Sequence, residues 1–200
     1  MSNWLYYRTL TIDHDVIDSS LTDYPVMVKL DDTNFDFSKL RADGYDLIFT
    51  DDTGVNQLKH EVELFDGVNE KAVYHVKIPS VSDTVDTTFR MYYGDSSVST
   101  DQSDKTNVWD DNFVMVQHMD DSLVDSTGNG NDRTNYGTTP TTGGYGRASV
   151  FDADTDYILC ASNTINVSTN PYTITAFIKH SNINERQKLY SKQLINENAN

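Results

Sequence analysis

With one cysteine, Cys160, among its 200 residues, the chain cannot form an internal disulfide, so the fold must stand on its packing or on bound ions. Cys160 reads as a small buried hydrophobe. No run approaches the roughly 18 apolar residues of a membrane span, and Met1-Ser2-Asn3-Trp4 has neither the basic nor the apolar region of a leader. As it stands the chain is expected to fold in a cytoplasm, unless a leader has been trimmed away. Basic residues are scarce, 15 Lys and Arg against 31 Asp and Glu, and the formal charge of −16 excludes nucleic acid and disfavours anionic membranes. Glutamate is scarcer still, with 5 Glu against 26 Asp. Aspartate bonds its own backbone and breaks helices, so the acidity belongs in turns. A halophilic origin is disfavoured, because the 9 Lys outnumber the 6 Arg and Asn is common. The usual hydrolase, nucleotide and zinc signatures are missing: there is no Ser-His-Asp order, Walker loop, Cys/His zinc spacing or His-Glu-x-x-His.

What is present is a β pattern: short runs rich in Val, Ile, Thr, Tyr and Phe between clusters of Asp, Gly, Asn and Ser. Tyr24 to Leu30 alternates with Val26, Val28 and Leu30 on one face. Gln57 to Phe65 places Leu58, His60, Val62 and Leu64 on one face, and Lys71 to Pro79 does the same with Ala72, Tyr74, Val76 and Ile78. Further strands are expected at Trp4 to Asp13, Tyr45 to Thr50, Thr87 to Tyr93, Phe113 to His118, Asp156 to Cys160 and Tyr172 to His180, about ten in all. A helix is expected only at Asn34 to Arg41.

The apolar pattern stops between residues 94 and 107, which suggests a linker. The expected organisation is a β domain over 1–96, a linker over 97–107 and a second β unit over 108–200. The stretch from Asp125 to Arg147, rich in Gly, Asn and Thr, is long for a simple hairpin loop, and such loops commonly carry a function.

Two constellations point to ligands. Asp125, Asn129, Asn131 and Asp132 crowd four oxygen-bearing side chains and two glycines into eight positions, which can wrap calcium, although a plain set of Asx turns is the commoner use of such a run. Tyr136 and Tyr145, in the Gly-rich stretch, offer flat rings for stacking on a sugar face. Tyr6-Tyr7 and Tyr92-Tyr93 are weaker choices, because adjacent residues of a strand face opposite ways and one of each pair belongs to the core. Among five histidines, His118 reads as a hydrogen-bonded structural residue and His14 as a strand end.

The first unit resembles the domain of unknown function 2341 (DUF2341), found in bacterial, archaeal and phage surface proteins. The resemblance runs over roughly residues 4 to 110 and rests on Trp4-Leu5-Tyr6-Tyr7-Arg8, Tyr24-Pro25-Val26, Asp43-Gly44-Tyr45-Asp46-Leu47-Ile48-Phe49, His60-Glu61-Val62-Glu63, Val76-Lys77-Ile78-Pro79 and Met91-Tyr92-Tyr93-Gly94. From Val108 onward the chain is similar to the start of a laminin-G or concanavalin-A-like jelly roll, through Val108-Trp109-Asp110, Val116-Gln117-His118-Met119, Asp125 to Asp132, Ser149-Val150-Phe151-Asp152 and Tyr172 to Lys179. Ala153 and Phe177 stand where that family often has Gly and Trp.

These resemblances imply an all-β chain of two sandwich or jelly-roll-like units that binds glycans or proteins. Enzymes of the jelly-roll fold use Glu-x-Asp-x-x-Glu. The nearest approach here is Glu61-Val62-Glu63-Leu64-Phe65-Asp66, two acids about 6.7 Å apart along a strand. The alternation puts Lys59, Glu61 and Glu63 on the outer face, where solvent would leave their pKa values alike.

The expectation is therefore a non-catalytic attachment or structural module of a virion tail, fibre or decoration protein, meeting host glycan or other surface proteins, without nucleic acid or membrane insertion. A glycoside hydrolase and a cell-surface adhesin are the alternatives. The 93 residues from 108 to 200 are few for a jelly roll, and Leu189 to Ile195 adds apolar residues without a sheet to join. Either the chain continues past Asn200, or a neighbouring subunit completes it in an oligomer.

Overall fold

In the computed structural model the described residues are 3–120, 122–160, 171–180, 189 and 191. Ten strands appear in them and no α-helix: β1 (Tyr6–Ile12), β2 (Leu21–Asp31), β3 (Leu47–Asp51), β4 (His60–Asp66), β5 (Lys71–Val81), β6 (Thr87–Tyr93), β7 (Thr134–Tyr136), β8 (Thr139–Thr142), β9 (Arg147–Val150) and β10 (Tyr157–Leu159). The chain is all-β, as its composition implied. Two three-stranded antiparallel sheets, ordered β1-β6-β3 and β2-β5-β4, share one core. The pairs β7-β10 and β8-β9 form two further ladders.

The core follows from period-two alternation in the central strands. Ala72, Tyr74, Val76 and Ile78 of β5 meet Phe89, Met91 and Tyr93 of β6, joined by Val28 and Leu30 of β2 and by Leu47 and Phe49 of β3. The tyrosine pairs divide between faces as strand geometry requires. Tyr6 stacks on Tyr93, which belongs to the core, while Tyr7 stacks on Tyr92 on the opposite face.

Four expectations need correction. Asn34 to Arg41 forms only a 3-10 turn, Phe37–Lys39, capped by the Asp36 carboxylate. Phe35 and Phe37 both enter the core, and two residues apart they could not share a face of an α-helix. The run from Gln57 does not hold its alternation, because a β-bulge lies between Val62 and Leu64. Leu64 therefore pairs with Val73, and Phe65 takes the core-facing place opposite Ala72.

Phe113 to His118 is not a strand; its Val116 N–H and C=O bond to Asp125 Oδ1 and Ser126 N instead of to a ladder. Tyr172 to His180 is exposed and forms no strand among the described residues. Leu189 to Asn200, apart from Leu189 and Ser191, lies outside the described residues, as does the question of how its apolar residues are completed.

The stretch expected as a linker runs back along the first sheet. Asp104 N–H donates to His60 C=O at 2.8 Å, and Lys59 Nζ pairs with the Asp104 carboxylate. From there the described residues of 108–126 cross the outer face of β4 and β5, the face opposite the shared core, where Trp109 and His118 meet Glu61, Glu63 and His75.

Candidate functional site

That outer face is where the bulge matters. Glu61 stands opposite His75 in the β4-β5 register, and Glu63 is the additional residue that the bulge inserts. A bulge breaks the ladder locally and re-aims a side chain, and Glu63 Oε2 here reaches His75 Nε2 at 2.7 Å. The crossing segment supplies the other half of the cluster. Trp109 Nε1–H donates to Glu61 Oε2 at 2.8 Å, and His118 lies between the two carboxylates, Nε2 3.2 Å from Glu61 Oε2 and Nδ1 3.4 Å from Glu63 Oε2. His118 stacks on His75 with ring centres 5.1 Å apart, and the Trp109 ring packs against both histidines and Phe113.

The expectation of a solvated outer face for Glu61 and Glu63 is thus corrected. The alternation assigned the face properly, but the segment that folds back leaves Glu61 only 3% exposed and Glu63 half-buried. Lys59 alone of the three remains at the surface, paired with Asp104.

Burial by itself would raise both carboxyls and lower the imidazole. The mutual contacts outweigh it. Hydrogen bonding and charge from His118 and His75 hold Glu63 down to about 2, and His118, with backing from Ser126 and Trp109, lowers Glu61. The two carboxylates in turn push His118 up to about 9. The cluster is an ion-pair clamp between the sheet and the crossing segment. His118 Nε2 is not a satisfied donor in it: the atom is fully buried and off the hydrogen-bonding direction to Glu61.

The 143–147 turn closes over the same group. A Cβ on Gly146 would lie 1.9 Å from Glu63 Oε1, whereas one on Gly144 would meet nothing within 4 Å. Gly146→Ala is therefore expected to cost about 1–3 kcal/mol by pushing the carboxylate off its histidines or lifting the turn, with Gly144→Ala near neutral. Urea denaturation of the two variants checks this, and equal midpoints would show that the turn does not seat on Glu63.

Every member of the cluster falls in one matched segment. Residues 43–130 match the family described as Domain of unknown function (DUF2341). No curated protein and no solved structure matches the chain. The DUF2341 match takes in β3 to β6, the stretch 97–107 and the crossing segment, so it runs past the resemblance read over residues 4 to 110 at one end and leaves residues 4–42 unmatched at the other.

Of the other ligand candidates from the sequence, Asp125 and Asn129 fall inside the DUF2341 match and Asn131, Asp132, Tyr136 and Tyr145 beyond its end. Asp125 accepts from Val116 N, Thr127 N, Thr127 Oγ1 and Asn131 N, and Asp132 Oδ1 accepts from Asp125 N. The Asn129 and Asn131 amides donate to the Phe113 and Val114 carbonyls. These hydrogen bonds are those of an Asx-turn network that fixes residues 113–116 against the loop. Tyr136 stacks on Tyr157 across the β7-β10 ladder, centres 4.4 Å apart and planes 11° from parallel, and Tyr145 packs on Phe177.

Of the cluster within the DUF2341 match, the sequence offered Glu61 and Glu63 only as a weak catalytic pair, His118 as a structural histidine and Trp109 only as part of the jelly-roll resemblance, and it left His75 unremarked. The available signal was His75, which alternation places on the same outer face as the two acids.

Proposed function

We propose that this chain is a non-catalytic attachment or structural module, borne on a virion as a tail, fibre or decoration protein, and that it binds a glycan or a partner protein within an oligomeric assembly. The observation that carries this reading is the exposed aromatic pair Tyr136 and Tyr157, 41% and 48% exposed, each ring covered on one face by the other. Such rings present their free faces outward, and a flat ring stacks on the apolar face of a pyranose. Tyr145, 42% exposed on the adjoining turn, adds a second platform. In this reading the laminin-G-like resemblance from Val108 onward supplies the frame for these ladders.

A glycoside hydrolase is the rival reading, and the pair Glu61 and Glu63 favours it. Both acids, however, are covered by Trp109 and His118, and a general acid must be within reach of the bond it protonates. Glycan-array screening followed by calorimetry tests the proposal. Binding is expected, with Tyr136→Ala or Tyr145→Ala weakening it about tenfold or more, the equivalent of about 1.4 kcal/mol for one buried aromatic contact. Sustained sugar release that disappears in Glu61→Gln or Glu63→Gln would overturn the non-catalytic reading. Binding unaffected by either tyrosine would move the site elsewhere.

A further inference from the structure

We infer that Glu63, His75 and His118 form a site for one divalent transition-metal ion, zinc by the chemistry of the donors, that rivets the crossing segment to the outer face of β4 and β5. The three donors, one oxygen and two imidazole nitrogens, lie within 4.8 Å of one another. Zinc–nitrogen and zinc–oxygen bonds of about 2.0–2.2 Å set the edges of a tetrahedron at roughly 3.3–3.6 Å. The 3.4 Å between His118 Nδ1 and Glu63 Oε2 already matches, and the 2.7 Å between His75 Nε2 and Glu63 Oε2 opens to it by a small rotation of the imidazole. Two imidazoles and one carboxylate are borderline donors, which suit zinc rather than calcium or magnesium, whose ligands are oxygens.

The surroundings suit a ligand set as well. A histidine that binds zinc through one nitrogen usually donates its other N–H to a carboxylate, which fixes the tautomer and the ring. Glu61 stands in that position, 3.2 Å from the buried His118 Nε2, which has no hydrogen bond of its own. Trp109 Nε1–H donates to the same Glu61 oxygen at 2.8 Å and holds it in place. With His118 Nδ1 on the metal the proton resides on Nε2, and a small rotation of the ring turns it onto Glu61, so that the orphaned nitrogen becomes a donor with an acceptor. Two ligands come from the sheet and one from residues 108–126, so the ion joins parts of the chain about 40 to 55 residues apart and replaces a covalent staple in a protein with a single cysteine. The second grouping of this kind, Asp13, His14 and Asp86, is more exposed and serves as a control.

The test is zinc titration of the chelator-stripped, 15N-labelled chain, with cobalt(II) as a spectroscopic stand-in. One equivalent is expected to bind, with the intense visible bands of four-coordinate cobalt and coordination shifts at His75 Nε2 and His118 Nδ1. Glu61→Gln is expected to weaken binding roughly 10–100-fold, Glu63→Gln and His118→Gln to weaken it further, and Asp86→Asn to leave it unchanged. Imidazole nitrogens of His75 and His118 that do not move in excess zinc would overturn the inference, and this readout needs no variant to fold. Binding kept in Glu63→Gln and His118→Gln but lost in Asp86→Asn would overturn it too.

Discussion

His118→Ala, measured in chelator, is expected to lower the unfolding free energy by about 3–5 kcal/mol, the range for removing one partner of a buried ion pair. The imidazolium is the positive charge between Glu61 and Glu63, and truncation leaves two carboxylates facing one another in a site that water barely enters. Most of the cost is the penalty of those abandoned charges rather than the worth of the contact. Adding Glu61→Gln to His118→Ala should therefore recover part of the loss, a coupling that a double-mutant cycle measures directly. The surface pair Lys59 and Asp104 provides the contrast: Lys59→Ala should cost under about 1 kcal/mol, because solvent screens that pair.

The loss should also be local. Residues 108–126 cross the sheet through backbone that includes Met119 and Leu123 at positive φ, a left-handed conformation unfavourable for both side chains. Without the clamp this segment should be cut by protease well before β5 and β6. Urea denaturation and a proteolysis time course read the two effects. A loss below about 1 kcal/mol, with no earlier cleavage, would show that packing of Trp109 and Phe113 holds the segment without the charges.

Strands that run straight through the core were legible in the sequence. Alternation in Lys71 to Pro79 placed Ala72, Tyr74, Val76 and Ile78 correctly, and β6 has the bounds its apolar residues suggested. The aspartate excess was legible too. Asp51 accepts from Thr53, Val55 and Asn56, and Asp125 from four donors, so these carboxylates order turns as their spacing implied.

The bulge at Glu63 was not legible, since Leu58, His60, Val62 and Leu64 alternate without a break and only pairing with β5 exposes the extra residue. The cluster was hidden for a related reason. Local periodicity says which face a side chain takes, but whether that face meets water depends on chain that returns much later. Here the return is made by Trp109 and His118, 48 and 57 residues beyond Glu61 by position. Information of that range is absent from any window in which strands are recognised.

In chelator the stability of the protein should rise to a plateau between about pH 4.5 and 6.5 and fall on either side, with the alkaline limb the diagnostic one. His118 is raised from an ordinary value near 6.5 to about 9 by Glu61 and Glu63. Its contribution is fully present below the unfolded value, where both states carry the proton, and is lost as pH climbs through 9. Glu63, held down to about 2, contributes above its unfolded value near 4.5 and loses that contribution as pH falls. These are two views of one interaction and are not added together. At about 1.4 kcal/mol for each tenfold change in proton affinity, the alkaline loss is on the order of 3 kcal/mol.

The acid limb is shared with other groups. Asp31, Asp36 and Asp43 are lowered by their hydrogen bonds, and His60, which burial keeps neutral, also loses stability as it charges at low pH. The alkaline limb has a specific control, since removing the carboxylates that raise His118 in Glu61→Gln with Glu63→Gln should flatten it. Urea midpoints at half-unit steps from pH 6 to 10 decide the matter. A wild-type profile that stays level across pH 7 to 9.5 would mean that His118 is neutral in the folded protein and that hydrogen bonding and packing, not charge, hold the crossing segment to the sheet.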